Sequence, residues 1–263
     1  MPTSLPPLPA ASLFDLRERT VIVTGASAGI GAILARGLAA EGAYVVLAAR
    51  RKDTLDALAA ELPNALPVRC DLTVDDDRAS LVEQTLARFG RIDGLVNNAG
   101  VSGSGLPATR QSTAEFRDVV ELDLLAPFDM AKRCLPAFRT QGRGSVVNVT
   151  STAAILSCAY MYPQAAYCAA KGGLAQLTKE LAAQWGRYNV RVNAFAPGFF
   201  ATEMTGSMTA PGGDADDRLM ARVPLRRAAN AADALGIVQF LLSDASAYVT
   251  GQHIAVDGGY TIY

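Results

Sequence analysis

Short apolar runs rich in β-branched residues, at positions 20–24, 44–48, 67–70, 94–97, 145–150, 191–196 and 253–256, alternate along this chain with segments of helical periodicity such as 29–41, 75–89 and 231–242. That alternation is the strongest constraint on the fold. A strand that is apolar throughout must be covered on both faces, and helices between successive strands supply the cover. Right-handed crossovers then wind the chain into a doubly wound parallel sheet of about seven strands, an α/β architecture. No internal repeat, linker or charge block divides the 263 residues, so one domain is expected, from 13 to 263, behind a mobile proline-rich arm at 1–12. The least regular stretch, 199–227 with Pro211-Gly212-Gly213-Asp214 in its middle, reads as a lid over a site at the carboxyl ends of the strands.

Composition narrows the function classes. Half of the residues are hydrophobic and 19% are charged, which provides for a large core. The net charge of −1, with both signs interspersed, gives no electrostatic footprint for nucleic acid or acidic membranes. Apolar stretches are broken before the roughly 18 residues of a membrane span, and no basic region precedes an apolar block at the N-terminus. The expectation is a soluble cytoplasmic protein with neither nucleic-acid nor membrane partners. Cys70, Cys134, Cys158 and Cys168 show no Cys-x-x-Cys spacing and read as small buried hydrophobes. His253 is the single histidine, which removes most zinc chemistry and any Ser–His–Asp triad. It reads as a structural or surface residue, and no metal is expected.

The run 20–24 leads straight into Gly25-Ala26-Ser27-Ala28-Gly29-Ile30-Gly31 and a helix. A strand, a glycine turn and a helix N-terminus in that order offer backbone N–H groups to a pyrophosphate. Gly25 allows the tight turn, while Gly29 and Gly31 permit close approach of phosphate and of helix to strand. The spacing is not the generic Gly-x-Gly-x-x-Gly, and a purely structural turn would use the same residues. The second run ends in Ala48-Ala49-Arg50-Arg51, with no carboxylate until Asp53. A carboxylate there would bind a ribose 2′-hydroxyl and repel a 2′-phosphate, which arginine grips bidentately. The corner therefore favours NADP(H), with NAD(H) as the other coenzyme it would accept; solvated arginines at a strand end are the plain alternative.

Tyr167 and Lys171 lie four apart in a helical segment, so a phenol and an ammonium share a face. A free phenol, with a pKa of about 10, is a poor base at neutral pH. A cation alongside favours the phenolate and brings the group toward general acid–base work. Chance produces this spacing often; its position downstream of a nucleotide-binding turn gives it weight. Gly172 and Gly173 would each cost about 1 kcal/mol relative to alanine in a helix interior, which points to close approach by the sheet, a cofactor or another subunit.

Together these motifs resemble the short-chain dehydrogenase/reductase family over residues 16–259. Thr24 to Gly31 is similar to its Thr-Gly-x-x-x-Gly-x-Gly turn, Cys70-Asp71-Leu72 to its adenine-contacting site, and Asn97-Asn98-Ala99-Gly100 to its motif after the fourth strand. Val147-Asn148-Val149-Thr150-Ser151 resembles the strand that delivers a catalytic serine, and Pro197-Gly198-Phe199-Phe200-Ala201-Thr202 the turn that holds the nicotinamide carboxamide. Gly251-Gln252 and Asp257-Gly258-Gly259 also fit. The resemblance implies a Rossmann-like fold and hydride transfer between NADP(H) and a carbonyl or secondary alcohol. It implies coenzyme contacts at Gly25, Ser27, Ala28, Ile30, Gly31, Arg50, Asp71, Leu72, Asn98, Tyr167, Lys171, Phe200 and Thr202. Tyr167 would be the acid–base, Lys171 would lower its pKa and hold the ribose, and Ser151 would bond the substrate oxygen. A homotetramer is implied, built through the helices bearing Asp123 and Tyr167, with 260–263 at a second interface.

The chain departs from the family where an asparagine is usual, at Asp123. Its main-chain carbonyl could still hold a relay water, its carboxylate could pair with Lys171 and change how Tyr167 titrates, or it could satisfy local backbone groups. Ala28 stands where NADP-preferring members often carry a basic residue, leaving Arg50 as the main phosphate partner. The slightly long segment 153–164 sends Cys158, Tyr160, Met161, Tyr162 and Gln164 toward substrate, core or a neighbouring subunit. Phe199, Phe200 and Met204 suggest an apolar wall, whereas Tyr160, Tyr162 and Gln164 suit hydroxyls, so the substrate stays open. Two rivals are a 3-oxoacyl-thioester reductase, with only Lys132, Arg133 and Arg139 as a modest basic cluster, and a non-catalytic dinucleotide-sensing regulator. Intact Ser151, Tyr167 and Lys171 argue against the regulator.

Overall fold

The apolar runs pair into one parallel sheet of seven strands, ordered β3-β2-β1-β4-β5-β6-β7. They are β1 Thr20–Thr24, β2 Tyr44–Ala49, β3 Ala65–Arg69, β4 Gly94–Asn97, β5 Gly144–Val149, β6 Val190–Pro197 and β7 His253–Val256. The helices are α1 Ala10–Leu13, α2 Gly29–Ala40, α3 Lys52–Glu61, α4 Asp75–Phe89, α5 Thr113–Val120, α6 Ala126–Gln141, α7 Ala165–Trp185 and α8 Ala231–Leu242. This computed structural model describes residues 9–157, 159, 162–200 and 219–262. Most of the expected arm and lid, with Cys158, Tyr160, Met161, Thr202 and Met204, therefore lies outside the described residues.

Alternation along each strand builds two layers. Val21 and Val23 of β1 and Val45 and Leu47 of β2 join Leu34 and Leu38 of α2 and Val238 and Leu241 of α8. Ile22 and Val46, one residue out of phase, join Leu81 of α4, Met130 and Phe138 of α6, and Trp185 of α7 on the other face. β3 begins two residues earlier than the sequence suggests. Pro67 lies inside it, opposite Leu47, and β3 is an edge strand where a missing N–H disrupts no second ladder.

Strand order reverses between β1 and β4, the two halves of the sheet running outward from that point. In open α/β sheets such a reversal leaves a crevice at the carboxyl ends of the strands. The helices flanking it are held by buried polar bonds as well as by apolar contact. Asn97 Nδ2 donates to Asn148 Oδ1 (2.9 Å) and to Pro127 O (3.1 Å), Asn148 Nδ2 donates to Thr178 Oγ1 (2.9 Å), and Thr178 Oγ1 donates to Leu174 O (2.8 Å). This chain ties β4, β5, α6 and α7 together in register.

Between α5 and α6 the helix does not stop; it widens into a π-helical turn, Glu121–Leu125. Such turns admit an extra residue and recur at functional sites. α7 passes close beside it: a Cβ on Gly173 would lie 3.0 Å from Leu124 Cδ2, whereas one on Gly172 would meet nothing within 4 Å. Of the two glycines, Gly173 makes the close approach. Burial pushes the thiols of Cys70 and Cys134 up to about 12, as suits core residues, whereas Cys168 is half-buried.

Replacing Asn148 by alanine leaves the Asn97 amide and Thr178 hydroxyl short of partners in a dry core. The expected loss is about 1–3 kcal/mol of unfolding free energy, read from urea denaturation midpoints.

Candidate active site

The glycine turn follows β1 into the crevice. Gly25 (φ +66°) and Gly29 (φ +54°) occupy the left-handed region, which favours glycine. A Cβ on Gly31 would lie 2.3 Å from Gly25 O and 2.5 Å from Asn98 Nδ2. α2 starts at Gly29 behind Ala28, which gives its first turn no side-chain cap. Its leading N–H groups are thus left to an anion, and the glycines leave the backbone bare for a phosphate to approach. Asn98 Nδ2 donates to Thr24 O (2.8 Å), so the amide braces the turn while the residue borders the cleft.

A cleft of about 500 Å³ runs along this edge of the sheet. Among its walls are Gly25, Ser27, Ala28, Ile30, Arg50, Asp71, Leu72, Asn98, Tyr167 and Lys171, all expected at one site. Gly31 lies buried behind the turn. Arg51, Val101 and Thr150 also line the cleft and were not singled out by sequence. Arg51 reaches back to the turn, with Nε 3.3 Å and Nη2 3.2 Å from Ser27 Oγ. The Arg50-Arg51 doublet was the available signal; the chain leaves β2 there and turns into α3, so both guanidinium groups come to one corner. Asp71 Oδ1 accepts from Thr73 N (3.0 Å) and Thr73 Oγ1 (2.8 Å). The bond from the Thr73 backbone, helped by its hydroxyl and by Arg50 and Arg69, holds the Asp71 carboxyl below the usual carboxylate range.

At the other end of the cleft Tyr167 and Lys171 occupy the first turns of α7. Lys171 is buried; its Nζ donates to Val149 O (3.1 Å), lies 3.2 Å from Asp123 Oδ2 and sits 5.5 Å from the centroid of the Tyr167 ring. Asp123 stands on the π-helical turn, fully buried, and its Oδ1 accepts from Val101 N (2.9 Å). Oδ2 has no directed hydrogen bond, so its contact with Lys171 is an ion pair. Burial pushes the Asp123 carboxyl above its ordinary range, opposed by Lys171 and the Val101 N–H. Of the readings open for Asp123, two are found together: Oδ2 pairs with Lys171 and Oδ1 satisfies a local backbone group, the Val101 N–H. Gly100 makes room for it: a Cβ there would lie 2.9 Å from Asp123 Oδ2 and 3.1 Å from Lys171 Nζ.

Ser151 follows β5 and caps a short 3₁₀ turn, its Oγ accepting from Ala153 N (3.1 Å), which leaves its own proton to donate. His253 is structural. Its Nε2 lies 2.8 Å from Thr150 Oγ1, which also lies 3.1 Å from Phe195 O. The Phe200 ring is buried in the core, edge-on to Phe195 at 6.3 Å. Phe199 points elsewhere, against Tyr260, and borders a separate cavity of about 420 Å³ with Val223, Pro224 and Leu225. Neither ring is among the described residues that line the cleft, and Met204, the third residue of the expected apolar wall, lies outside the described residues. Tyr162 packs over the loop after β4, where a Cβ on Gly105 would fall 2.2 Å from its hydroxyl. Among the described residues no group of three or more His, Cys, Asp or Glu is placed to hold a metal ion, and no helix is long and apolar enough to cross a membrane.

Comparison with known proteins gives a consistent picture. The family model described as enoyl-(acyl carrier protein) reductase matches residues 25–261. Cis-4-hydroxycyclohexanecarboxylate dehydrogenase of Sinomonas cyclohexanicum is 38% identical over 247 residues, covering 93% of this chain and 97% of that protein. The 3-oxoacyl-(acyl-carrier-protein) reductase of Thermotoga maritima is 36% identical over 252 residues, covering 94% and 99%. The gluconate 5-dehydrogenase of Burkholderia cenocepacia, solved in complex with NADP and tartrate, superposes with a TM-score of 0.89 at 31% identity, covering 97% of this chain and all of that one.

Since a Cβ at Gly31 would collide with the Gly25 backbone as well as the Asn98 amide, Gly31→Ala displaces the turn. Dinucleotide binding measured by titration calorimetry is expected to weaken at least tenfold, or about 1.4 kcal/mol.

Proposed function

This chain belongs to the short-chain dehydrogenase/reductase family, as an NAD(P)-dependent oxidoreductase acting on alcohols and ketones, and we propose that it works with NADP(H), using Tyr167 to move the proton. The observation that supports this most is that Tyr167 and Lys171 border the same cleft as the uncapped glycine turn. A dinucleotide with its pyrophosphate at that turn and its far ring near Tyr167 fits these residues. When bound, its nicotinamide supplies or accepts the hydride. In reduction the Tyr167 phenol gives its proton to the carbonyl oxygen as charge develops there, and the Ser151 hydroxyl donates to the same oxygen. In oxidation the Tyr167 phenolate takes the alcohol proton. Lys171, fixed by Val149 O, has no rotational freedom to lose when the site closes on its ligand.

Preference for NADP(H) draws on Arg50 and Arg51, two guanidinium groups at the corner of the cleft beyond β2, a corner with no carboxylate before Asp53. The gluconate 5-dehydrogenase neighbour was solved with that coenzyme. A homotetramer is also proposed. Leu125, the last residue of the π-helical turn, and Phe128 of α6 are three apart and 47% and 40% exposed, which suits a face covered by a second copy. A 3-oxoacyl-thioester reductase is the second reading, favoured by the Thermotoga maritima relative.

A panel of hydroxycyclohexanecarboxylates, sugar acids, simple ketones and 3-oxoacyl thioesters, assayed with both coenzymes, decides among these. NADP(H) is expected to give the lower Michaelis constant, and Tyr167→Phe to lose about 10²–10⁴-fold in kcat while still binding coenzyme. Full turnover by that variant, or tighter use of NAD(H), would count against the proposal. Sedimentation should give a mass four times that of one chain.

A further inference from the structure

We propose that Asp123 is a positioning residue that neutralises Lys171, keeps the Tyr167 phenol protonated at neutral pH and so readies the site for carbonyl reduction. The inference rests on the proton role proposed for Tyr167. Lys171 is 3% exposed and Asp123 0%. With both groups out of water, neither charge is screened by solvent. An ammonium alone, 5.5 Å from the ring, would draw Tyr167 toward its phenolate. A carboxylate 3.2 Å from the same nitrogen turns that charge into an ion-pair dipole, whose field at the phenol is far weaker. Gly100 shows how closely the pair is built in, since any side chain there would enter the space of both groups.

Among the described residues, the charged groups of the flanking elements are engaged elsewhere or exposed. From α7, Tyr167 and Lys171 line the cleft beside the pair. The loop after β4 offers the Val101 N–H and β5 offers Val149 O, neither titratable. On α5, Glu115 accepts from Ser104 N and Gln111, and Arg117 and Asp118 are exposed. Glu121 of the π-helical turn and Asp129 of α6 are directed at Arg78 of α4. The sign follows directly. A neighbouring negative charge raises a phenol's pKa, so the protonated form, needed for reduction, persists to higher pH, and the phenolate needed for oxidation appears later. The reaction equilibrium is untouched; what changes is the pH at which each direction runs.

The test is Asp123→Asn, which keeps the shape and removes the charge. In profiles of kcat/KM against pH, the rising limb for alcohol oxidation and the falling limb for ketone reduction should both move to lower pH by about one unit, which is about a tenfold gain in oxidation below the midpoint and about a tenfold loss in reduction above it. A variant with full activity and unmoved limbs overturns the proposal. Because an uncompensated Lys171 can unfold the variant, the parent is also titrated without coenzyme. Its phenolate ultraviolet absorbance, less that of Tyr167→Phe, is expected to have a midpoint within about one unit of free tyrosine, near 10. A midpoint about two units lower overturns the proposal. This readout needs no turnover, so failure of every substrate would refute the functional reading while the midpoint still decides this one.

Discussion

A threonine hydroxyl joins the two strands between which the sheet reverses its order. Thr24 Oγ1 donates to Val96 O at 3.3 Å and accepts from Asn98 N at 2.9 Å and Ala99 N at 3.1 Å. Everything in the cleft hangs from that junction. It fixes where the glycine turn leaves β1, and the Asn98 amide then holds the turn from the β4 side. The loop so anchored carries Gly100 and Val101 onward to the ion pair. One bonded seam therefore couples the end of the cleft suited to phosphate with the end that carries the phenol.

The two ends use opposite electrostatic strategies. At the phosphate end, charge is exposed or partly so: Arg50 and Arg51 border solvent, and Asp71 is held ionised by local bonds from Thr73. Water tempers such interactions, and they suit a ligand that arrives and leaves. At the proton end, Lys171 and Asp123 are sealed inside. Breaking a buried pair by removing one partner is costly, about 3–5 kcal/mol, because the survivor is left uncompensated. That is the arrangement expected where a fixed field matters more than exchange.

Much of this was legible in the chain. Strands apolar on both faces announced a sheet covered on both faces, and the glycine spacing, the Asn-Asn-Ala-Gly motif and the Tyr-Lys pair marked residues that converge on one cleft. What escaped was geometry beyond the local period. Phe199 and Phe200 looked equivalent, yet consecutive residues in extended backbone point opposite ways, and one ring went to the core while the other joined a second cavity. Pro67 looked like the start of a strand because only the assembled sheet reveals that β3 is its edge. Asp123 left three readings standing because the choice depended on Lys171, 48 positions away in sequence. The bond from the Asn98 amide to Thr24 O is one that no pattern in sequence displays.

The widened turn at Glu121–Leu125 takes up one residue more than a regular helix would use over the same path. That surplus is absorbed locally, so α5 and α6 keep their relation on either side of it, with Ser112 capping α5 and Glu115 holding the backbone at Ser104. Its consequence falls on Asp123, which stands within the turn. A deletion there would restore ordinary helix without disturbing the flanks, and what it would change is the aim of that carboxylate at Lys171.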